Sequence, residues 1–209
     1  MSASPDVTPP PDPPVGLRGR KRLDAQARLY DCAVELFVDK GYEAVSVEEI
    51  CQRAGVGRAS FFRYFGAKTG LMIEFDRRVV QDIERRLAVA APGVEARLDT
   101  VQAAIASAWT TAHPNVRALG RDYLASTAIS DMGAIAAGIT EIARRIFQAG
   151  LDDGELDTAM PADLLAGLYV TAIRIGIAHA LAQPRATRPP NATRRLLDLF
   201  LRGVAAQKR

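Results

Sequence analysis

Between Ser46 and Phe65 the sequence fits two helices and a turn into twenty residues, and only a compact helical unit satisfies that spacing. Ser46-Val47-Glu48-Glu49 has the form of a capping box. In such a box the hydroxyl accepts from the amide three residues on, and the glutamate reaches back to the cap amide. The helix that follows is broken by Ala54-Gly55-Val56-Gly57, and a second short helix is expected over Arg58 to Phe65, closed by Gly66. Ile50 and Ala54 face inward from the first helix, Val56 pins the turn, and Phe61 and Phe65, four apart, bury one side of the second. The side left over carries Arg58, Ala59, Ser60, Phe62, Arg63 and Tyr64. Helix, glycine-containing turn, helix is the helix-turn-helix pattern.

That outward face suits a DNA major groove, which admits an α-helix whose N-terminal residues reach base edges. An arginine at Arg58 or Arg63 can take a guanine edge with two hydrogen bonds, and the small Ala59 and Ser60 allow close approach of the backbone. Tyr64 and Lys68 are placed for phosphate, as are the exposed amides at the helix starts. Overall charge adds little: the net charge is +3, with 14 basic and 13 acidic residues up to Ala90 and 13 and 11 beyond it. Local charge is more telling. Arg18, Arg20, Lys21 and Arg22 form one basic cluster without an acid, and Arg53, Arg58, Arg63 and Lys68 form another. A single such patch is as readily a solvated face, but two flank this one helical unit.

The stretch Gly41-Tyr42-Glu43-Ala44-Val45-Ser46-Val47-Glu48-Glu49-Ile50, with Ala54-Gly55-Val56, Phe61-Phe62-Arg63-Tyr64-Phe65, Lys68 and Leu71, resembles the TetR family of bacterial transcriptional regulators. The likeness covers roughly residues 22–72. It implies a homodimer, each subunit having a three-helix DNA-binding head and a larger helical body that binds a small molecule. By position, the resemblance implies that Ser46 caps its helix and touches phosphate. Arg58, Ala59 and Ser60 would face bases, while Phe62, Tyr64 and Lys68 would follow the DNA backbone. Two positions depart from the family's habit: tyrosine is common where Phe62 stands, and serine where Gly57 stands, so a hydroxyl contact and a side-chain cap are missing.

The rest of the chain supports an all-α protein of about nine helices. Nothing alternates with a period of two for long, and helical patterns run over about 94–112, 115–127, 133–149, 161–183 and 192–206 after a long amphipathic helix from Lys68 to Ala90. The expected division is a disordered Pro-rich basic arm over 1–20, a head over 21–67, and a ligand-binding and dimerisation body over 68–209. The basic arm either enters the neighbouring minor groove or supplies only nonspecific attraction. Leu164 to Leu181 is apolar on nearly every side and needs cover on every side, which a second subunit can provide. Ala166, Gly167, Gly176 and Ala180 would let helices approach closely there. A two-fold dimer matches a palindromic operator. The candidate lining of the ligand pocket is Trp109, His113, Tyr123, Met132, Phe147, Tyr169 and Arg174, and the expected effector is mostly apolar.

An enzyme is disfavoured. There is no Gly-rich phosphate loop, nucleophile elbow or metal-spaced cluster, so neither a cofactor nor a metal is expected. His113 and His179 lie too far apart for a zinc motif, and Asp152-Asp153-Gly154-Glu155 reads as a solvated loop. Cys32 and Cys51 read as free thiols. No apolar run is expected to reach the roughly 18 residues of a membrane span, and a cytoplasmic protein without a membrane partner is the expectation. The competing reading is a helical dimeric interaction or small-molecule-binding module without specific DNA readout.

Overall fold

The structure, a computed structural model, describes residues 17–126 and 137–182. Among these residues there are eight α-helices and no strand: α1 (Leu17–Lys40), α2 (Val47–Ala54), α3 (Arg58–Phe65), α4 (Met72–Leu87), α5 (Val94–Thr111), α6 (Pro114–Ser126), α7 (Ala137–Asp152) and α8 (Ala162–Ala182). The ninth expected helix, over 192–206, lies outside the described residues, as does Met132. The all-α class read from the periodicity is the fold observed.

Two boundaries and the hydropathy of one helix differ from expectation. Helix α1 starts at Leu17, so Arg20, Lys21 and Arg22 are exposed residues of a helix, not of an arm ahead of it. The reason is local: no proline lies between Leu17 and Lys40, and arginine and lysine are good helix formers. The long helix expected from Lys68 is split. A 3-10 turn spans Lys68–Leu71, and α4 proper begins at Met72. Gly70 explains the split, since a Cβ there would stand 1.8 Å from the Phe65 carbonyl oxygen. The chain can fold back on the end of α3 at that point only because the residue has no side chain. Finally, α8 is long and apolar enough to cross a membrane by length and composition, with a mean hydropathy of 1.6 over an 18-residue window, because its single arginine does not lower that mean enough. Here it packs on α6 and α7.

Helices α1 to α3 make the head. Leu29, Ala33, Phe37, Ile50 and Phe61 are fully buried between them, and Phe37 meets Tyr42 edge to face at 5.2 Å. Helix α4 joins head to body. Its stripe Met72, Phe75, Val79, Ile83 and Leu87 is buried, as the four-residue spacing required. It also carries Glu74, a buried carboxylate held by both neighbouring arginines. Arg77 donates at 2.7 and 2.6 Å and Arg78 at 2.9 Å, and Arg78 reaches on to Asp31 of α1 at 2.8 Å. Buried charge is tolerated when it is paired in this way. Helices α5 to α8 enclose the body's core, where the buried Phe147 meets Tyr169 at 6.0 Å and the Tyr169 hydroxyl donates to the Leu98 carbonyl at 3.1 Å.

Candidate nucleic-acid interface and body cavity

The turn between α2 and α3 follows from its glycines and its one cap. Ser46 sits extended ahead of α2, and its Oγ accepts from the Glu49 amide at 3.1 Å. Only half of the expected capping box forms, because the Glu49 carboxylate pairs with Lys40 at the end of α1. Gly55 ends α2 in the left-handed region at φ 64°, a conformation that costs other residues strain. Gly57 then precedes α3 without any side-chain cap. Phe61 and Phe65, 5.2 Å apart, fix α3 to the head's core.

With that side buried, Arg58, Ala59, Phe62 and Arg63 are exposed, and Ser60 and Tyr64 are half-buried. Their geometry is partly set before any partner arrives. Arg58 pairs with Glu48 of α2 and lies 5.8 Å from the centre of the Phe62 ring. Arg63 donates to Ser60 Oγ at 3.2 Å and to the Tyr64 hydroxyl at 3.3 Å, above the Tyr64 ring. Lys68, expected along the DNA backbone, is engaged within the head. Its ammonium turns inward, donates to the carbonyls of Tyr42 and Val45 at 2.8 and 3.0 Å, and stands 4.1 Å from the Tyr42 ring. Burial lowers its pKa from the ordinary lysine value. The residue therefore clips the connection between α1 and α2 to the turn ahead of α4, a use that residue type and position alone did not reveal. Burial, together with Asp122 of α6 beside it, pushes the Tyr42 phenol up to about 12.

The body holds a small cavity of about 50 Å³ that opens towards solvent. Of the expected lining residues, Trp109, Tyr123 and Arg174 border it. Trp109 packs on Phe75 at 4.7 Å and covers the α6 backbone at Gly120, where a Cβ would lie 2.4 Å from the indole. Three others do not border it. His113 is exposed at the start of α6, and its Nδ1 accepts from the Asn115 amide at 3.3 Å. Phe147 and Tyr169 are spent on the core contact already described. Their aromatic character suited either place, and only packing decides between them. The residue that sequence reasoning missed is Asp76 of α4, which borders the cavity beside Met72 and Val79. It stands one position off the apolar stripe. Its surface is only partly covered, yet that surface opens on the cavity, and burial pushes its pKa up to about 8 against the opposing pull of Arg174.

On the other side of α8, Leu164, Leu168 and Ile175 are exposed on one face. Of the small residues expected to face a second subunit, Ala166 and Gly176 are buried in the chain's own core, while Gly167 has open space before it.

A three-helix head whose third helix is exposed and bears arginines, carried on a helical body with a cavity, has the helix-turn-helix arrangement. The model for bacterial regulatory proteins of the tetR family matches residues 29–75, which is the head and the start of α4. In that head the chain is similar to proteins of the tetR family. The same region is 38% identical over 53 residues to a putative mycofactocin biosynthesis transcriptional regulator of Mycobacterium tuberculosis, covering 25% of this chain and 27% of that protein. The chain thus aligns with only about a quarter of that curated relative's length. A longer match, 23% identical over 166 residues and covering 76% of this chain and 78% of the other, is to the transcriptional repressor KstR2 of Rhodococcus jostii. The fold is similar to that of Thermus thermophilus FadR, a repressor solved in complex with lauroyl-CoA. That likeness has a TM-score of 0.70 at 16% identity and covers 88% of this chain and 97% of that one.

Proposed function

We propose that this protein is a homodimeric transcriptional repressor that binds a palindromic DNA operator through α3 and is released when a small molecule fills the cavity of the body. One observation carries the DNA half of this reading. Arg58, Ala59, Ser60, Phe62 and Arg63 share the uncovered side of a helix whose other side is locked by Phe61 and Phe65, in the region that matches the family model. In this reading Arg58, Ala59, Ser60 and Arg63 face bases. Ser46, Gly57, Phe62 and Tyr64 lie along the phosphates, and Lys68 holds the head in shape beside them. Arg58 must exchange its Glu48 partner for a base edge, so Glu48 restrains unspecific contact.

The exposed apolar face of α8 supports the dimer, since Leu164, Leu168 and Ile175 fall on one side of the helix. The cavity supports the release step because its walls belong to helices that also reach the head. Helix α4 lines it with Asp76 and α6 with Gly120 and Tyr123, while Asn115 of α6 donates to the Phe37 carbonyl of α1. A ligand that fits only one arrangement of α4 and α6 shifts the population of head spacings. The protein would act in the cytoplasm, with DNA, a second copy and an effector as its partners and no part played by a membrane.

The test is a titration of the full chain against the DNA upstream of its own gene, in competition with scrambled DNA and over a range of salt. A repressor of this kind gives a specific, salt-sensitive complex containing two chains. A folded dimer that binds both DNAs alike instead leaves an interaction module without DNA readout.

A further inference from the structure

The cavity joins an apolar interior to two groups of opposite charge that do not satisfy one another. Trp109, Ile105, Ile139 and Val170 supply apolar walls, and Asp76 and Arg174 are the charged residues among those that line it. Among the described residues no carboxylate lies within ion-pair distance of Arg174, and Asp76 has no hydrogen-bond partner, although the two feel each other's charge. A carboxylate without donors in an apolar site avoids its charged form. The cavity then holds one guanidinium cation and one neutral acid, both donors, and no anion to receive them. A cationic ligand would meet the guanidinium, and a neutral one would leave it uncompensated. An anion accepts from both, with the two-pronged geometry that arginine offers a carboxylate.

We propose that the cavity binds a monoanionic effector, an apolar monocarboxylate, whose head lies between Arg174 and Asp76 and whose apolar body lies along Trp109. The proposal rests on the reading of this cavity as the effector pocket and names the chemistry that the pocket selects. A proton on Asp76 is part of the bound state, so binding weakens as Asp76 ionises. The other titratable or charged groups around Asp76 are Tyr123 of α6, Tyr30 of α1, and Glu74, Arg77 and Arg78 of its own helix, which are engaged with one another. Helices α5 and α7 bring only apolar side chains to the lining.

Trp109 is the chain's single tryptophan, so its fluorescence reports occupancy directly and without DNA. The full chain is titrated at about pH 6 with cyclohexylbutanoate, cyclohexylbutanamide and cyclohexylbutylamine, which share one apolar body. Equilibrium dialysis of the same compounds backs the optical signal. The carboxylate is expected to bind at least about tenfold tighter than the amide, with the amine weakest. Arg174→Met should abolish that preference and keep amide binding. Arg174→Lys, which keeps a charge, should retain part of it and so excludes a misfolded variant as the cause. Carboxylate affinity in the native chain should fall as pH rises through about 8 and stay flat in Asp76→Asn. Equal binding of all three compounds, a preference for amide or amine, or no saturable binding by either method overturns the proposal. Carboxylate binding that leaves the operator complex intact overturns only the repressor reading.

Discussion

The head and the body cavity of this protein treat charge in opposite ways. In the head several cations around the turn are paired or pinned before any partner arrives: Arg53 with Glu35, Arg58 with Glu48, Lys40 with Glu49, and Lys68 on two carbonyls. In the cavity Asp76 and Arg174 face the same space without touching. The same contrast appears within α4, where Glu74 is buried and held by two arginines while Asp76, two residues on, has neither. Paired charge makes a rigid surface that can be offered to a long regular polymer such as DNA. Unpaired charge in an apolar hole costs stability, and a ligand of the right charge recovers that cost.

The first way to break the comparison is to break the joint between its halves. Gly70→Ala places a methyl group against the Phe65 carbonyl, where the backbone itself must move. We expect a loss of about 3 kcal/mol or more in chemical denaturation. An unchanged midpoint would mean that the turn into α4 is soft and that head and body are not rigidly joined. Next comes the internal clip. Lys68→Met leaves the carbonyls of Tyr42 and Val45 without their donor and should cost about 1–3 kcal/mol of stability. If the variant melts like the native chain but binds all DNA less well, Lys68 is a phosphate contact after all.

The outward surface gives a smaller and more selective effect. Arg58→Ala should lose about 1–3 kcal/mol of discrimination at one base position while leaving scrambled DNA bound as before. Glu48→Gln, which frees Arg58 from its present partner, should raise affinity for scrambled DNA. Equal losses on every sequence for Arg58→Ala would show that Arg58 meets phosphate.

The head was legible in the sequence because its signals are local. A serine three residues before a glutamate, two glycines in a four-residue break and two phenylalanines four apart fix caps, turn and buried face within twenty residues. The body was legible only as a set of helices. Whether Trp109, Phe147 or Tyr169 borders a cavity depends on how α5, α7 and α8 pack, and those helices meet across long stretches of chain. Asp76 escaped notice for the same reason. Periodicity ranks a charged residue beside an apolar stripe as solvated, and only the placement of α6 and α8 turns that flank into a wall. For Lys68, too, a lysine in a basic patch gives no hint that two carbonyls lie beneath it.

The last test probes the unpaired side of the comparison and does so through pH. An aspartate in the unfolded chain releases its proton near pH 4, whereas in the folded chain burial holds the Asp76 proton up to about pH 8. Between those limits the native state carries a proton that the unfolded state has lost, so stability falls as pH rises through the interval and levels off above it. Asparagine cannot titrate and resembles the protonated acid in shape. Asp76→Asn should therefore melt close to the native chain near pH 4 and progressively above it towards pH 8. Melting curves that run parallel across the whole range would mean that water or a partner group already serves the Asp76 carboxylate. In that case the cavity is as well paired as the head, and the contrast between them disappears.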